Sequence, residues 1–537
     1  MSLPLPRPFR SALALAAAVV CLSGLPGPLQ AQQAGSPAYR QAVAEASYGS
    51  EAIAAFYRLR DYQPIFTGPE DAGRRAALLA ALENADVQGL PVRRYDPDML
   101  RAAFAAAGSP RARGEAEVLA AMMLVQYAQD LQSGVLDPRR IDSGIVRDLP
   151  RRDPFMQLQA FAHADPVAFL RSLPPATREY NRLLAERLRL EEVVRRGDWG
   201  PQVAVMKFGA GQSGENVVDL RDRLVAMGYM KPSATPVYDD AMRDAVRQFQ
   251  TDHGLTSDGV AGTATVTEIN VPAHVRLGQV LVAMERERWT NIPRGDRHIE
   301  VNIPEFTARI IEDGKTTFST RVVVGKNTGD RRTPEFSDQM EFMVVNPSWS
   351  VPRSITTKEY LPMLQRNPNA VSHLKLVDSR GRAVSRGSVN FAKYNARNFP
   401  FRMSQPPSKN NALGQVKFMF PNRYNIYLHD TPSKGLFAHD SRAYSHGCVR
   451  VADPFDLAYA LLSAQTDDPE GLFQSRLRSG AEARVNLETP LPVHILYRTA
   501  FSQPKGQMNY RADVYGRDAR IWTALQQAGV SLPAAGS

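Results

Sequence analysis

The hydrophobic period changes once along the 537-residue chain, and that change limits what it can fold into. As far as Trp289 the apolar residues recur at helical spacing; beyond it they alternate or run in short blocks, as strands do. At roughly 150 residues per domain a chain of this length exceeds one hydrophobic core, and three or four units are expected. Its 43% hydrophobic and 22% charged residues, without a heptad array or a collagen-like period, are those of an ordinary globular protein. The predicted fold class is therefore multidomain α+β: helical units first, then a mostly β domain.

The first thirty residues read as a secretory signal. Arg7 and Arg10 form a basic start, Ser11 to Leu25 is an apolar run too short to span a membrane comfortably, and Ala31 offers a small residue for cleavage. Retention of the segment as a membrane anchor is the alternative, and "AVV" before Cys21 argues against a lipoprotein. Cleavage over 1–31 removes Cys21 and leaves Cys448 as the sole thiol. An unpaired cysteine in an oxidising compartment is a liability unless its reactivity is used, which favours a chemical role for Cys448. The formal net charge is +10, and losing Arg7 and Arg10 leaves about +8. For an exported protein this suits an anionic polymer outside the cytoplasm better than nucleic acid.

Residues 37–200 read as a mainly helical scaffold, with helical spacing clearest in Glu115–Leu131 and Ala185–Arg196 and no catalytic cluster. Residues 211–272 change character. Leu220, Leu224 and Met227 share one helical face, Ala245, Val246 and Phe249 another, and Gly254 is placed to end the second helix. A glycine-marked turn and a short third helix follow. The segments "LVAMGYM", "VRQFQTDHGL" and "DGVAGTAT" resemble the three-helix peptidoglycan-binding module; a helix-turn-helix reader of nucleic acid is the competing interpretation, and export argues against it. Residues 273–290 are expected to form a connecting helix, 296–500 a mostly β catalytic domain with a hairpin turn at Asp313-Gly314, and 501–537 a C-terminal segment. Residues 353–412, rich in Pro, Asn, Ser and Arg, are expected to be a lid insertion or else disordered surface.

"YLHDTPSKGLFAHDSRAYSHGCVR", Tyr427 to Arg450, gathers three of the nine histidines and Cys448 into 24 residues. A thiol acts as a nucleophile once deprotonated, which calls for a base or a positive charge beside it. His429 and His446 are the candidates. A tight turn would point His446 away, whereas His429 on a neighbouring strand would meet the thiol across a sheet. Gly447 permits an unusual backbone conformation, so that its N–H and that of Cys448 are expected to hold an oxyanion. The pattern suits acyl transfer through a thioester. A zinc site is the rival reading, but one cysteine without paired spacing argues against it; an inert buried cysteine is the other. His439 reads as a solvated loop residue.

The arrangement H-x15-S-H-G-C-V-R, from His429 to Arg450, resembles the signature of the YkuD-type L,D-transpeptidase family. "VVVGKNTGDRRTPEFS", "VVNPSWSVP", "NALGQVKFMFPNRYNIYLHDTPSKGLF", "PVHILYRTAF" and the amino-terminal "ADVQGLPVRRYDP" are similar to its large periplasmic YcbB-like subfamily. The resemblance implies Cys448 as nucleophile, His429 as base and the Asp430 carbonyl orienting its ring, with Gly447 and His446 supporting. It places Ser445 and Arg450 at motif positions, with a substrate carboxylate or a structural salt bridge as the choices for Arg450. Tyr427 and Trp349 would line the donor pocket. The implied partners are peptidoglycan stem peptides, a donor tetrapeptide and an acceptor diaminopimelate amine, and the implied reaction is 3→3 cross-linking with release of D-alanine. Neither metal nor organic cofactor is implied, and carbapenems would acylate Cys448. Water as acceptor would make the chain an L,D-carboxypeptidase. A serine enzyme is suggested only by "SHLK" at Ser372 and "SVN" at Ser388, with no K-T-G or K-S-G after them. A non-catalytic wall-binding protein is disfavoured by the intact His429, Gly447 and Cys448.

Overall fold

The computed structural model describes residues 36–503 and 507–533. The expected signal segment and Cys21 lie outside the described residues. The chain is helical as far as Trp289 and dominated by strands from Arg297 to Tyr510, as the change of period predicts.

The first unit is built around the 24-residue helix Pro110–Ser133, which Ser109 opens by accepting the Ala112 N–H and Gly134 closes. Phe56, Leu78, Leu124 and Phe161 are fully buried against one another, each contributing about 1.5–3 kcal/mol relative to exposure. Glu117 is also fully buried on this helix, yet satisfied. Its carboxyl accepts the N–H of Ile65 at 2.7 Å, the N–H of Thr67 at 2.8 Å and the Tyr57 hydroxyl at 2.8 Å, pinning the 65–67 loop.

The second core runs across the boundaries expected from the sequence. Helices Arg178–Arg195 and Arg517–Gln527, the latter from the C-terminal segment, pack on helix Ala273–Trp289, and the three helices Glu215–Ala226, Asp240–Asp252 and Thr263–Ile269 share the same core. Ala273–Trp289, the expected connecting helix, is also a core strut. Leu277, Val280 and Met284 on it are fully buried. Its buried charges are paired: Arg288 with Glu285 at 2.9 Å, and Arg286 with Glu335 at 2.6 Å and Asp518 at 2.7 Å. In the three-helix unit Asp239 caps the second helix by accepting the Met242 N–H. Gly254, at φ +68, follows that helix as expected.

The third unit is a sheet that closes on itself. Its order is Ala443–Ser445, Lys315–Gly325, Val449–Val451, Leu428–His429, Val416–Met419, Phe336–Val345, Ala483–Leu496, Arg297–Asn302 and Thr307–Glu312, and the last strand pairs back onto Lys315–Gly325. Asp313 and Gly314, both at positive φ, make the predicted hairpin turn. Val301, Val322, Val416, Phe418, Leu428 and Val449 fill the interior. The 353–412 insertion is folded: strands Trp349–Ser350, Arg402–Gln405 and Lys375–Val377 form a small sheet over a separate core that includes Leu364, Phe391 and Phe399.

Candidate active site

The turn carrying Cys448 is held from several directions. Strand Ala443–Ser445 runs parallel to Lys315–Gly325, the chain reverses at Gly447 (φ +118), and Val449–Val451 returns antiparallel to the same strand. A non-glycine residue at that φ would be strained. The buried Ser445 hydroxyl donates to the Cys448 carbonyl at 2.5 Å and accepts the Gly447 N–H at 3.1 Å. The Thr333 hydroxyl donates to the Gly447 carbonyl at 2.7 Å and accepts the Gly325 N–H at 2.9 Å. Tyr515, from the C-terminal segment, donates its hydroxyl to the Gly325 carbonyl at 2.6 Å.

His429 arrives on the neighbouring strand, as predicted. Leu428–His429 lies between Val416–Met419 and Val449–Val451, with His429 registered against Lys417 on one side and Arg450 on the other. Directly paired residues share a face, so the three side chains form one row. Since Val416, Phe418, Leu428 and Val449 face the barrel interior, the row lies on its outer face, beneath the insertion. His429 Nδ1 lies 2.5 Å from the Asp430 carbonyl oxygen. A carbonyl only accepts, so Nδ1 carries the proton and Nε2 keeps a lone pair. Asp430 is held in turn: its carboxylate accepts the Gln415 N–H at 2.8 Å, the Thr431 N–H at 2.7 Å and Lys434 Nζ at 2.8 Å. A Cβ on Gly414, which sits at φ +61, would come within 2.2 Å of that carboxylate.

Cys448 and His429 both rest uncharged. Burial, the Arg450 guanidinium and Lys417 bring the His429 pKa down to about 3 against the Asp430 hydrogen bond. Burial pushes the Cys448 thiol up to about 11, opposed by hydrogen bonds from Tyr427 and by the charge of Arg450. Desolvation at the bottom of the pocket outweighs the nearby cation. The thiol points to the Asn425 carbonyl at 3.4 Å.

A cavity of about 970 Å³ brings Cys448, His429, Arg450, Tyr427 and Trp349 together. Trp349 and Tyr427 also pack on the insertion's core, so each is wall and core at once. Three expectations change. His446 turns to the insertion, where its Nε2 meets Glu359 at 2.7 Å, so it is not an oxyanion or orienting group for the thiol. The Gly447 N–H is committed to Ser445, leaving the Cys448 N–H as the other donor expected. The Ser445 hydroxyl is spent on the turn rather than offered to substrate. For Arg450 the salt-bridge alternative falls: no carboxylate is among the groups that bear on it, and burial lowers its pKa. His439 is exposed, as expected.

Sequence reasoning missed Lys417, Glu359, Arg331 and Thr333. Lys417 had a local signal, a lysine between buried Val416 and Phe418 on an alternating strand. Glu359 had none; it lies in a π-helical turn, Thr356–Tyr360, of the irregular insertion, where it accepts from Arg331 at 2.7 Å as well as His446. Among the described residues no group of three or more His, Cys, Asp or Glu side chains is placed to hold a metal, and no helix is long and apolar enough to cross a membrane.

Residues 296–473 match the family model described as the L,D-transpeptidase catalytic domain, YkuD. Residues 51–186 match a scaffold domain, and 213–269 a proposed peptidoglycan binding domain. A Haemophilus influenzae protein whose name proposes an L,D-transpeptidase is 33% identical over 246 residues, 45% of this chain and 48% of the relative, so the match spans about half that protein's length. Among solved structures, an L,D-transpeptidase of Xylanimonas cellulosilytica shares 16% identity over 55% of this chain and 98% of its own, with a TM-score of 0.17. One from Stackebrandtia nassauensis shares 15% over 55% and 97%, with a TM-score of 0.22. Both superpositions are too loose to carry an argument. From the family matches and the sequence relative, the chain combines a YkuD-family L,D-transpeptidase catalytic domain with a helical scaffold and a peptidoglycan-binding domain.

Proposed function

We propose that the protein is a peptidoglycan L,D-transpeptidase that forms 3→3 cross-links through a thioester on Cys448. His429 Nε2 takes the thiol proton as Sγ attacks the carbonyl of the donor stem's third residue, and the proton passes to the leaving D-alanine amine. The amine of a second stem's diaminopimelate then attacks the thioester, surrendering its proton to His429, and the thiol is regenerated. Because both groups rest neutral, proton transfer accompanies attack instead of preceding it. The observation that carries this reading is the His429 ring, locked by the Asp430 carbonyl with Nε2 unprotonated, beside Cys448 in one cavity. The Cys448 N–H is assigned to the oxyanion, Tyr427 and Trp349 to the donor's walls, and Arg450 to a donor carboxylate.

The division into 37–200, 211–272 and 296–500 assigns wall attachment to the middle unit, which raises the local concentration of weakly bound stems. Export by residues 1–31 would bring the enzyme to its substrate in the periplasm, and carbapenems would acylate the same thiol. The test mixes the protein lacking residues 1–31, and its Cys448→Ala variant, with disaccharide-tetrapeptide and reads adduct and products by mass spectrometry. Cysteine-dependent 3→3 dimers are expected. Tripeptide without dimer would make the protein an L,D-carboxypeptidase, and neither adduct nor product would leave a wall-binding protein.

A further inference from the structure

The row across the pocket floor places a cation on each side of His429, and neither makes a direct ion pair with a carboxylate of the described residues. Adjacent strands lie about 4.8 Å apart, so the backbones carrying Lys417 and Arg450 are separated by about 10 Å with His429 between them. Both side chains line the cavity. Arg450 Nε is buried without an acceptor. Glu482 acts on Lys417 only from beyond ion-pairing distance, and its carboxylate accepts the Ser348 N–H. Of the other cations lining the cavity, Arg331 is paired with Glu359 at 2.7 Å and Lys358 with Asp330 at 2.6 Å, while Arg353 donates to the carbonyls of Phe401 at 3.4 Å and Ala396 at 3.3 Å. Partly buried cations without counter-ions are costly, and a row of two facing one cavity is a site awaiting anions.

We infer that Lys417 forms a second anion subsite, so that Lys417 and Arg450 each take one carboxylate of a doubly anionic peptide laid across His429. This deepens the transpeptidase reading and rests on it for the choice of peptide. A bound carboxylate beside either cation also offsets the positive field on His429, which makes the imidazole a stronger base when substrate is present. A peptide with one of the two carboxylates blocked loses both an anchor and that offset.

The experiment measures, by calorimetry, binding of the donor tetrapeptide and of analogues amidated at one carboxylate at a time to Cys448→Ala protein, with and without Lys417→Met. On the Lys417-containing protein, two of the amidations are expected to weaken binding by about tenfold each. Lys417→Met is expected to weaken the parent peptide equally and to abolish the penalty for one of those two, while Lys417→Arg restores it. Equal losses on every peptide, or no loss, would overturn the subsite, as would a parent peptide that fails to bind. Iodoacetamide labelling of Cys448 in the single Lys417→Met variant, at the unsubstituted protein's rate, excludes a collapsed pocket. Cross-linked products from the unsubstituted protein with unchanged binding by Lys417→Met would sink only the subsite; charge-dependent binding without products would sink only the transfer reaction.

Discussion

The floor and the roof of the active-site cavity are built on different principles. On the floor, Lys417, His429 and Arg450 are set by strand register, and a one-residue slip of any of the three strands would turn its residue into the barrel core. The roof is the 353–412 insertion with its own small core, joined to the 330–331 loop and the nucleophile turn by Arg331–Glu359, Lys358–Asp330 and His446–Glu359. These pairs are partly exposed, and such pairs contribute about 0.2–1 kcal/mol each. The proposed chemistry would thus sit on the part that cannot shift cheaply, beneath the part that can.

Substitutions on the floor should therefore cost far more than those on the roof. Cys448→Ala is expected to lower cross-linking by at least about 10⁴-fold, measured as dimer formed per enzyme; residual dimer near the starting level would move the chemistry elsewhere. His429→Gln, which keeps a polar ring-sized group without a base, should cost about 10²–10⁴-fold in kcat with the fold intact by circular dichroism. Gly414→Ala touches no substrate, but its Cβ would displace the Asp430 carboxylate beside the carbonyl that orients His429; a loss of about 10–100-fold is expected, and near-normal activity would show that Asp430 does not hold the ring.

The resting protonation states give a pH signature. With the thiol pKa raised to about 11, only the small thiolate fraction reacts near neutrality, so iodoacetamide labelling of the free enzyme should climb about tenfold per pH unit between pH 6 and 9. A plateau beginning below pH 7 would mean a preformed thiolate and imidazolium. The smallest effect belongs to the roof: Glu359→Gln removes the charge that pairs with Arg331 and His446, and KM should rise by less than about fivefold with kcat nearly constant. A loss comparable to that of Gly414→Ala would erase the distinction between floor and roof.

Much of this was legible beforehand because its causes are local. The helical faces Leu220–Leu224 and Val246–Phe249, the stop at Gly254 and the Asp313-Gly314 hairpin follow from side-chain period and from backbone freedom at single residues. Cys448 with His429 followed from a short motif whose two strands lie close in sequence. His446 was harder, since its direction depends on Glu359, 87 residues away, in a segment without periodicity. Lys417 was visible as a lysine in a strand, yet its place beside His429 exists only in the ladder.

By itself the sequence determined the order of helical and β regions, the turn around Gly447 and the placing of Cys448 and His429 on neighbouring strands. Period, capping and φ preference act within a few residues, and a chain carries them wherever it folds. Tertiary structure alone decided that Ala273–Trp289 is a buried strut and that Tyr515 steadies, through Gly325, the strand against which the Cys448 turn packs. It also decided that desolvation leaves Cys448 and His429 uncharged, and that Lys417 and Arg450 flank the base. Each of these depends on which distant surfaces exclude water from one another, and burial and electrostatic coupling have no value until the chain has closed around them.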